Sequence, residues 1–329
     1  MPDKRTTIAN SILLALMLVA VITSLSMGTV RIDPMDTLRA LVGSADPMTT
    51  FVVNELRLNR VTAGLLAGAA LALAGCLMQT LARNRLATPG IIGIDNAATA
   101  FAVASVVGIG VSVAPPVMAL AGAAAATAIA FGLAGANGTR GYRFIVAGIG
   151  IGAIAGAVTQ VMLSRVAIDA ANAAYPWTVG SLNARSGNSV LVLACGLAAG
   201  YGLLMLISRG LNTLQFSDAV AVALGTHLKR VRILGLAISV LLTGFAVSVC
   251  GPVGLIALLA PELARTICKP GKVPLLASAL AGATFMVVAD LLGRTLFSPL
   301  EIPVGIITAI VGSPYLLWIL LKPSQRSLT

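Results

Sequence analysis

Nothing constrains this chain more than the recurrence of long apolar runs almost free of charge. "SILLALMLVAVITSLSMG" and "VTAGLLAGAALALAGCLMQTLA" are two of them. A helix needs about 20 mostly apolar residues to cross the hydrocarbon of a bilayer. Ten such runs are predicted, at 9–28, 58–81, 90–110, 114–135, 143–165, 189–208, 231–250, 252–268, 273–295 and 303–321. The eighth is short, and Gly251-Pro252 divides it from the seventh. No ten-residue segments of alternating polarity recur, so a membrane β-barrel is excluded. Composition agrees: 58% of the 329 residues are hydrophobic and 10% charged, against about 25% charged in soluble domains. The fold class is an all-α polytopic membrane protein, one transmembrane domain over 1–329, with lipid as its solvent. The basic, apolar N-terminus imitates a signal peptide but shows no convincing small-x-small cleavage site, so it reads as a retained first span.

Charge sets the orientation. With the N-terminus inside, only Arg31, Arg39, Arg57, Arg60, Arg165, Arg185 and Arg294 fall outside, and the other 15 of 22 basic residues fall in inner segments. This bias predicts cytoplasmic N- and C-termini. The net charge of +11 therefore marks inner loops. Aromatic residues interleaved with basic ones are missing, so nucleic acid is not a partner.

The motifs of chemistry are missing too. The sequence contains no G-x-x-x-x-G-K-[ST], no H-E-x-x-H and no G-x-S-x-G, and its single histidine, His227, leaves no two-histidine metal site. Cys76, Cys195, Cys250 and Cys268 lie far apart in or beside apolar runs and read as small hydrophobes. The chain reads as a non-enzyme that binds no cofactor or metal. Glu262 with Arg265 (i, i+3) and Asp290 with Arg294 (i, i+4) are spaced to pair on a helix face. No mid-span carboxylate cluster marks an ion pathway, which counts against an ion-coupled secondary transporter.

Small residues carry more information. Gly64 and Gly68 form G-x-x-x-G, and Gly148, Gly152 and Gly156 stack on one face of "VAGIGIGAIAGAV". Close helix packing is one reading, and a smooth pathway wall for a bulky ligand is the other. A polar island, "LNTLQFSDAVAVALGTHLKRVR" (211–232), interrupts two apolar runs. In it Ser217 suits an N-cap, Asp218 a first helical turn and Gly225 a stop.

Ordered motifs along nearly the whole chain resemble the FecCD-type permeases of iron-siderophore and vitamin B12 ABC importers. "LRLNR…LARNRLATPGIIGI" is similar to that family's R-L-P-R…R-N-P-L-A-x-P-x-x-L-G. "WTVGSLNARS" is similar to W-x-x-G-S-L, and "LGTHLKRVR" to L-G-x-x-x-x-x-x-R. "CGPVGLIALLAPELAR" resembles G-P-I-G-F-I-G-L-x-x-P-H-x-x-R, and "VVADLLGRTLFSPLEIPVGIITAIVGSPYLLWIL" resembles A-D-x-x-A-R…E-L-P-x-G-x-x-T-A-x-x-G-x-P-x-F. Three positions depart from the pattern: Asn59 and Arg85 stand for prolines, and Glu262 for the histidine.

The resemblance implies a type II ABC importer permease with ten spans, in a bacterial inner membrane. It implies a pathway between two permease subunits, with a heterodimer favoured over a homodimer, and alternating access in which spans five and ten change the gates. It further implies two cytoplasmic ATPases that hold ATP and Mg, and a periplasmic or lipid-anchored binding protein. The segment 209–230 would be the coupling element, two short helices docking on the ATPase through Asp218, Ala221, Leu224, Gly225 and His227. Arg57, Arg60 and Arg294 would receive carboxylates of the binding protein. The expected cargo is a ferric siderophore, with a lean towards a catecholate; haem and cobalamin are the alternatives within the family.

Overall fold

The computed structural model describes residues 4–28, 30–108, 113–134, 142–183 and 185–321. Arg140, Lys322 and Arg326, assigned above to inner segments, lie outside them. The described residues form helices and connecting loops without strands. In order these are α1 (Lys4–Ser26), α2 (Pro34–Leu41), α3 (Pro47–Phe51), α4 (Asn59–Ala82), α5 (Ile94–Val106), α6 (Pro115–Ala134), α7 (Tyr142–Ser164), α8 (Ile168–Val179), α9 (Gly187–Thr213), α10 (Asp218–Ala223), α11 (Leu228–Cys250), α12 (Ile256–Ile267), α13 (Leu275–Thr295) and α14 (Val304–Leu321). A π-helical stretch, Val52–Leu58, joins α3 to α4, and a 3-10 turn, Pro89–Ile92, leads into α5.

Each of the ten predicted spans has a helix: α1, α4, α5, α6, α7, α9, α11, α12, α13 and α14. Seven of the described helical stretches are long and apolar enough to cross a bilayer; α5 and the described part of α14 are shorter apolar helices. The third span, expected over 90–110, shortens to the 13 residues of α5, and the eighth shortens as well. The eighth was expected over 252–268, but α12 has only 12 residues and begins at Ile256. Gly251–Gly254 precede it as irregular chain, because Gly251 and Pro252 stop α11 and delay the next helix. The segment 166–188, read as non-spanning, contains the 12-residue α8.

The bundle is built around α4 and α11. Leu71, Leu73 and Leu77 of α4 are buried against Ile238, Leu242 and Val249 of α11, Met286 of α13 and Leu193 of α9 in one apolar core. A second core joins α5, α6 and α11 through Ala98, Ala102, Ala123, Leu236 and Val240. Much of this core is alanine, which lets backbones approach closely in a solvent offering no hydrophobic drive between helices. At the rim, α1, α6, α7 and α9 leave most of their apolar side chains uncovered. Such faces suit lipid or another subunit.

Candidate functional site

The polar island sits at the bundle face where α1 begins. Ser217 caps α10 by accepting from the Val220 amide, and Asp218 lies in the first turn. The amides of Leu224 and Gly225 bond back to Val220 and Val222, and Gly225 turns the chain at φ +79°. Side chains resist that left-handed region, so glycine stops the helix here. Instead of two short helices there is one, of six residues. The residues that follow, from Leu228 onwards, form the start of the long α11.

Two cations clamp this element. Arg83 donates to the Leu214 carbonyl at 3.0 Å, to the Phe216 carbonyl and to Asp218 at 2.8 Å. Arg232 of α11 donates to the same Asp218 oxygen at 2.8 Å. Ala221 is wholly buried beneath the turn. Outward, Phe216, Val220, Val222 and Leu224 are each more than 40% exposed, and His227 is exposed beside them. A short helix held rigidly by ion pairs, yet showing four large apolar side chains in an otherwise polar stretch, has the form of a docking surface.

The opposite face carries the expected arginines, two of them turned inward. Arg57 is only 7% exposed. It donates to the carbonyls of Leu25 at 2.6 Å, Ser26 at 3.1 Å and Val30. Arg294 is 9% exposed; it pairs with Asp290 at 3.1 Å and donates to the Ser24 hydroxyl at 2.7 Å and the Ser24 and Met27 carbonyls. The two thus satisfy the last carbonyls of α1, which no intrahelical amide can reach and where a cation also complements the helix dipole. Arg60 binds Asp290 at 3.0 Å and Glu301 at 2.8 Å. The structure brings the three arginines into one network, but it directs Arg57 and Arg294 inward. Sequence reasoning missed Glu301, whose link to Arg60 spans 241 positions.

The glycines make packing contacts. A Cβ on Gly64 would stand 3.1 Å from Leu182 and one on Gly68 2.7 Å from Met286 Cβ, so both line the seam between α4 and α13. Gly148 and Gly152 lie against Gly93 before α5, and Asn96 donates to the Gly152 carbonyl at 3.0 Å. Gly156 lies further along the same face, its Cβ position 4.0 Å from the Asn96 amide nitrogen. The exposed side of α7 is formed instead by Ile149, Ile154, Val158 and Val161.

Three motif glycines meet at one point that sequence spacing did not reveal. The Ser181 amide donates to Cys250 at 2.8 Å, and the Gly305 amide to Gly180 at 3.2 Å. A Cβ on Gly180 would stand 2.5 Å from the Pro252 carbonyl, and one on Gly251 3.1 Å from Gly180 Cα. The end of α8, the α11–α12 break and the start of α14 therefore cross backbone to backbone. Nearby, Arg185 lies 4.2 Å from the Trp177 ring centre and donates twice to the Ser181 carbonyl. Arg185 thus links Trp177 to the Gly-Ser turn of "WTVGSLNARS". An apolar cavity of about 270 Å³ lies between α12, α13 and α14, lined by Leu259, Leu263, Phe285, Val311 and Tyr315.

Cys76, Cys250 and Cys268 are buried and Cys195 is exposed; all four are free thiols. Among the described residues no cluster of three His, Cys, Asp or Glu could hold a metal.

Known proteins place this architecture. The chain is 33% identical over 329 residues to the ferric enterobactin transport system permease protein FepG of Escherichia coli, covering 98% of each chain. It is 34% identical to the achromobactin transport system permease protein CbrC of Dickeya dadantii, covering 95% of this chain and 90% of the relative. It is 35% identical to the hemin transport system permease protein HmuU of Yersinia pestis, covering 83% and 84%. A solved metal-chelate type ABC transporter in an inward-facing conformation shares the fold, with a TM-score of 0.82 at 22% identity over 96% of this chain and 99% of that one. Residues 16–322 match the FecCD transport family: the chain belongs to that family, a group of membrane-spanning transport permeases.

Proposed function

We propose that this chain is the membrane-spanning permease subunit of an ATP-driven ABC importer that carries an iron chelate, most favourably a ferric siderophore, into the cytoplasm. The observation that carries the reading is the clamped apolar knob. Val220 and Val222 protrude from a helix, flanked by Phe216 and Leu224, whose orientation is fixed by Arg83, Asp218 and Arg232. A motor that pushes on this helix moves α4 and α11 with it, the two helices at the centre of the bundle. The chain has no phosphate-binding loop, so ATP and Mg belong to separate ATPase subunits. In this reading the face at which α1 begins is cytoplasmic and both termini lie on that side of a bacterial inner membrane.

Relatives named for achromobactin, enterobactin, citrate and hemin support an iron-chelate cargo. A catecholate siderophore is the narrower expectation. The pathway lies between this chain and a second permease, in our reading a different one, with the exposed sides of α7 and α14 lining it in alternating access. An apolar, weakly polar wall suits low-affinity passage, with selectivity left to a binding protein. That protein docks on the opposite face around Arg60, whose neighbours Arg57 and Arg294 hold the rim from within.

Co-expression of the chain with its second permease and ATPase tests the proposal. The complex should co-purify, and Leu224→Asp should release the ATPase while leaving the two permeases together. Full retention of the ATPase by that variant would contradict the assigned surface.

A further inference from the structure

We propose that Arg85 and Glu262 form a transmission pair that carries movement of the 214–225 segment into α12; the proposal rests on the importer reading above. Arg85 donates to Glu262 at 2.8 Å across 177 positions of sequence. Both stand at positions where the motifs set out above have uncharged or titratable residues, proline and histidine. The two departures are therefore opposite charges in contact.

The loop between them and the polar island is stiff. Arg83 adopts φ +50°, the Asn84 amide bonds back to Gln79 at 3.2 Å, and the Ala87 amide to Asn84 at 3.1 Å. The Asn84 side chain also accepts from the Leu86 amide at 2.9 Å. Arg83, at one end of this loop, holds Leu214, Phe216 and Asp218. Arg85, two residues later, holds α12. A rigid turn with an ion pair at each end acts as a lever between the docking knob and a helix that packs on α13 and α14.

The receiving end is prepared to move. Pro261 lies inside α12, directly before Glu262. Proline has no amide hydrogen and cannot bond the carbonyl four residues earlier, here Ala257. Gln79 of α4 supplies the missing donor, reaching the Ala257 and Leu258 carbonyls at 3.4 Å. The Gln79 side-chain oxygen, Oε1, accepts from Arg265, which also lies 3.8 Å from Glu262. Glu262 is only 13% exposed, and its second oxygen has no hydrogen-bond partner. The weak point of α12 is thus held by α4, and the charge beside it answers to Arg85.

The test reconstitutes the complete importer in vesicles and measures both ATP hydrolysis and cargo uptake. Arg85→Pro and Glu262→His should each lower uptake per ATP hydrolysed about five-fold, the scale of coupling between contacting groups. The double variant should lie no lower than the single variants, because one change already breaks the link, while Arg85→Lys should stay within about two-fold of wild type. A merely structural role would lower hydrolysis and uptake together, leaving their ratio unchanged. Recovery of intact complex at wild-type yield shows that the variants fold. Effects that multiply in the double variant, or single variants with a wild-type ratio, overturn the pair alone. A wild-type importer without ATP-dependent uptake overturns the importer reading, and the pair falls with it.

Discussion

Replacing Gly68 by alanine puts the packing account to a severe test, because it adds one methyl group. A Cβ there would lie 2.7 Å from Met286 Cβ and 2.8 Å from the Gly282 carbonyl carbon of α13. Carbon atoms rest at about 3.5–4.0 Å, so the seam must open by about 1 Å. Overpacking of this kind costs about 1–3 kcal/mol. Alanine returns about 1 kcal/mol of helix propensity. The propensity gain is isolated by Gly202→Ala, since a Cβ at Gly202 meets nothing within 4 Å. The difference between the two variants is then the packing cost itself. Thermal unfolding in one detergent, at about 2–4 °C per kcal/mol for chains of moderate size, should put Gly68→Ala several degrees below Gly202→Ala. Equal midpoints would show that α4 and α13 do not approach through Gly68, and the small-residue reading of this seam would fail.

Other substitutions probe the two faces. Arg57→Met strips the last two carbonyls of α1 and that of Val30 beyond it of a buried charged donor and should cost about 2–3 kcal/mol; unchanged thermal stability would place Arg57 at the surface instead. Asp218→Ala removes the anchor shared by Arg83 and Arg232. At this half-exposed site the loss of stability should stay near 1 kcal/mol, while protease cleavage within 214–225 should quicken markedly; an unchanged cleavage rate would deny the clamp. Gly225→Val meets open space but a left-handed backbone, which costs about 1–2 kcal/mol. It should reduce ATPase recovery with the complex more than Gly225→Asn does, and equal recovery would remove the turn from the coupling argument.

The helices were legible because lipid enforces a length and a polarity that local sequence must display. Thus α4, α11 and α13 lie within a few residues of their predicted ends. The capped α10 was legible for the same local reason, since Ser217 and Gly225 act on amides within three or four positions. The shortness of α12 was foreshadowed by Gly251-Pro252 and by the short eighth run itself. What the sequence concealed are contacts set by the packing of distant segments. Arg60 could not be matched to Glu301, Arg83 to the Leu214 carbonyl, or Gly180 to Gly251 and Gly305 without the fold. The inward turn of Arg57 and Arg294 was hidden likewise, because an arginine at a span end looks the same whether it snorkels to water or caps a neighbouring helix. The Asp290–Arg294 pair, four residues apart, was readable in advance.

The central claim is that energy enters through the 216–224 knob from a separate ATPase. Uptake of a ferric siderophore into vesicles containing the two permeases, with binding protein outside and ATP inside, tests it directly. The account predicts uphill accumulation when the ATPase is present, and none without it or with Leu224→Asp. Accumulation driven by a proton or sodium gradient in vesicles lacking the ATPase would contradict it.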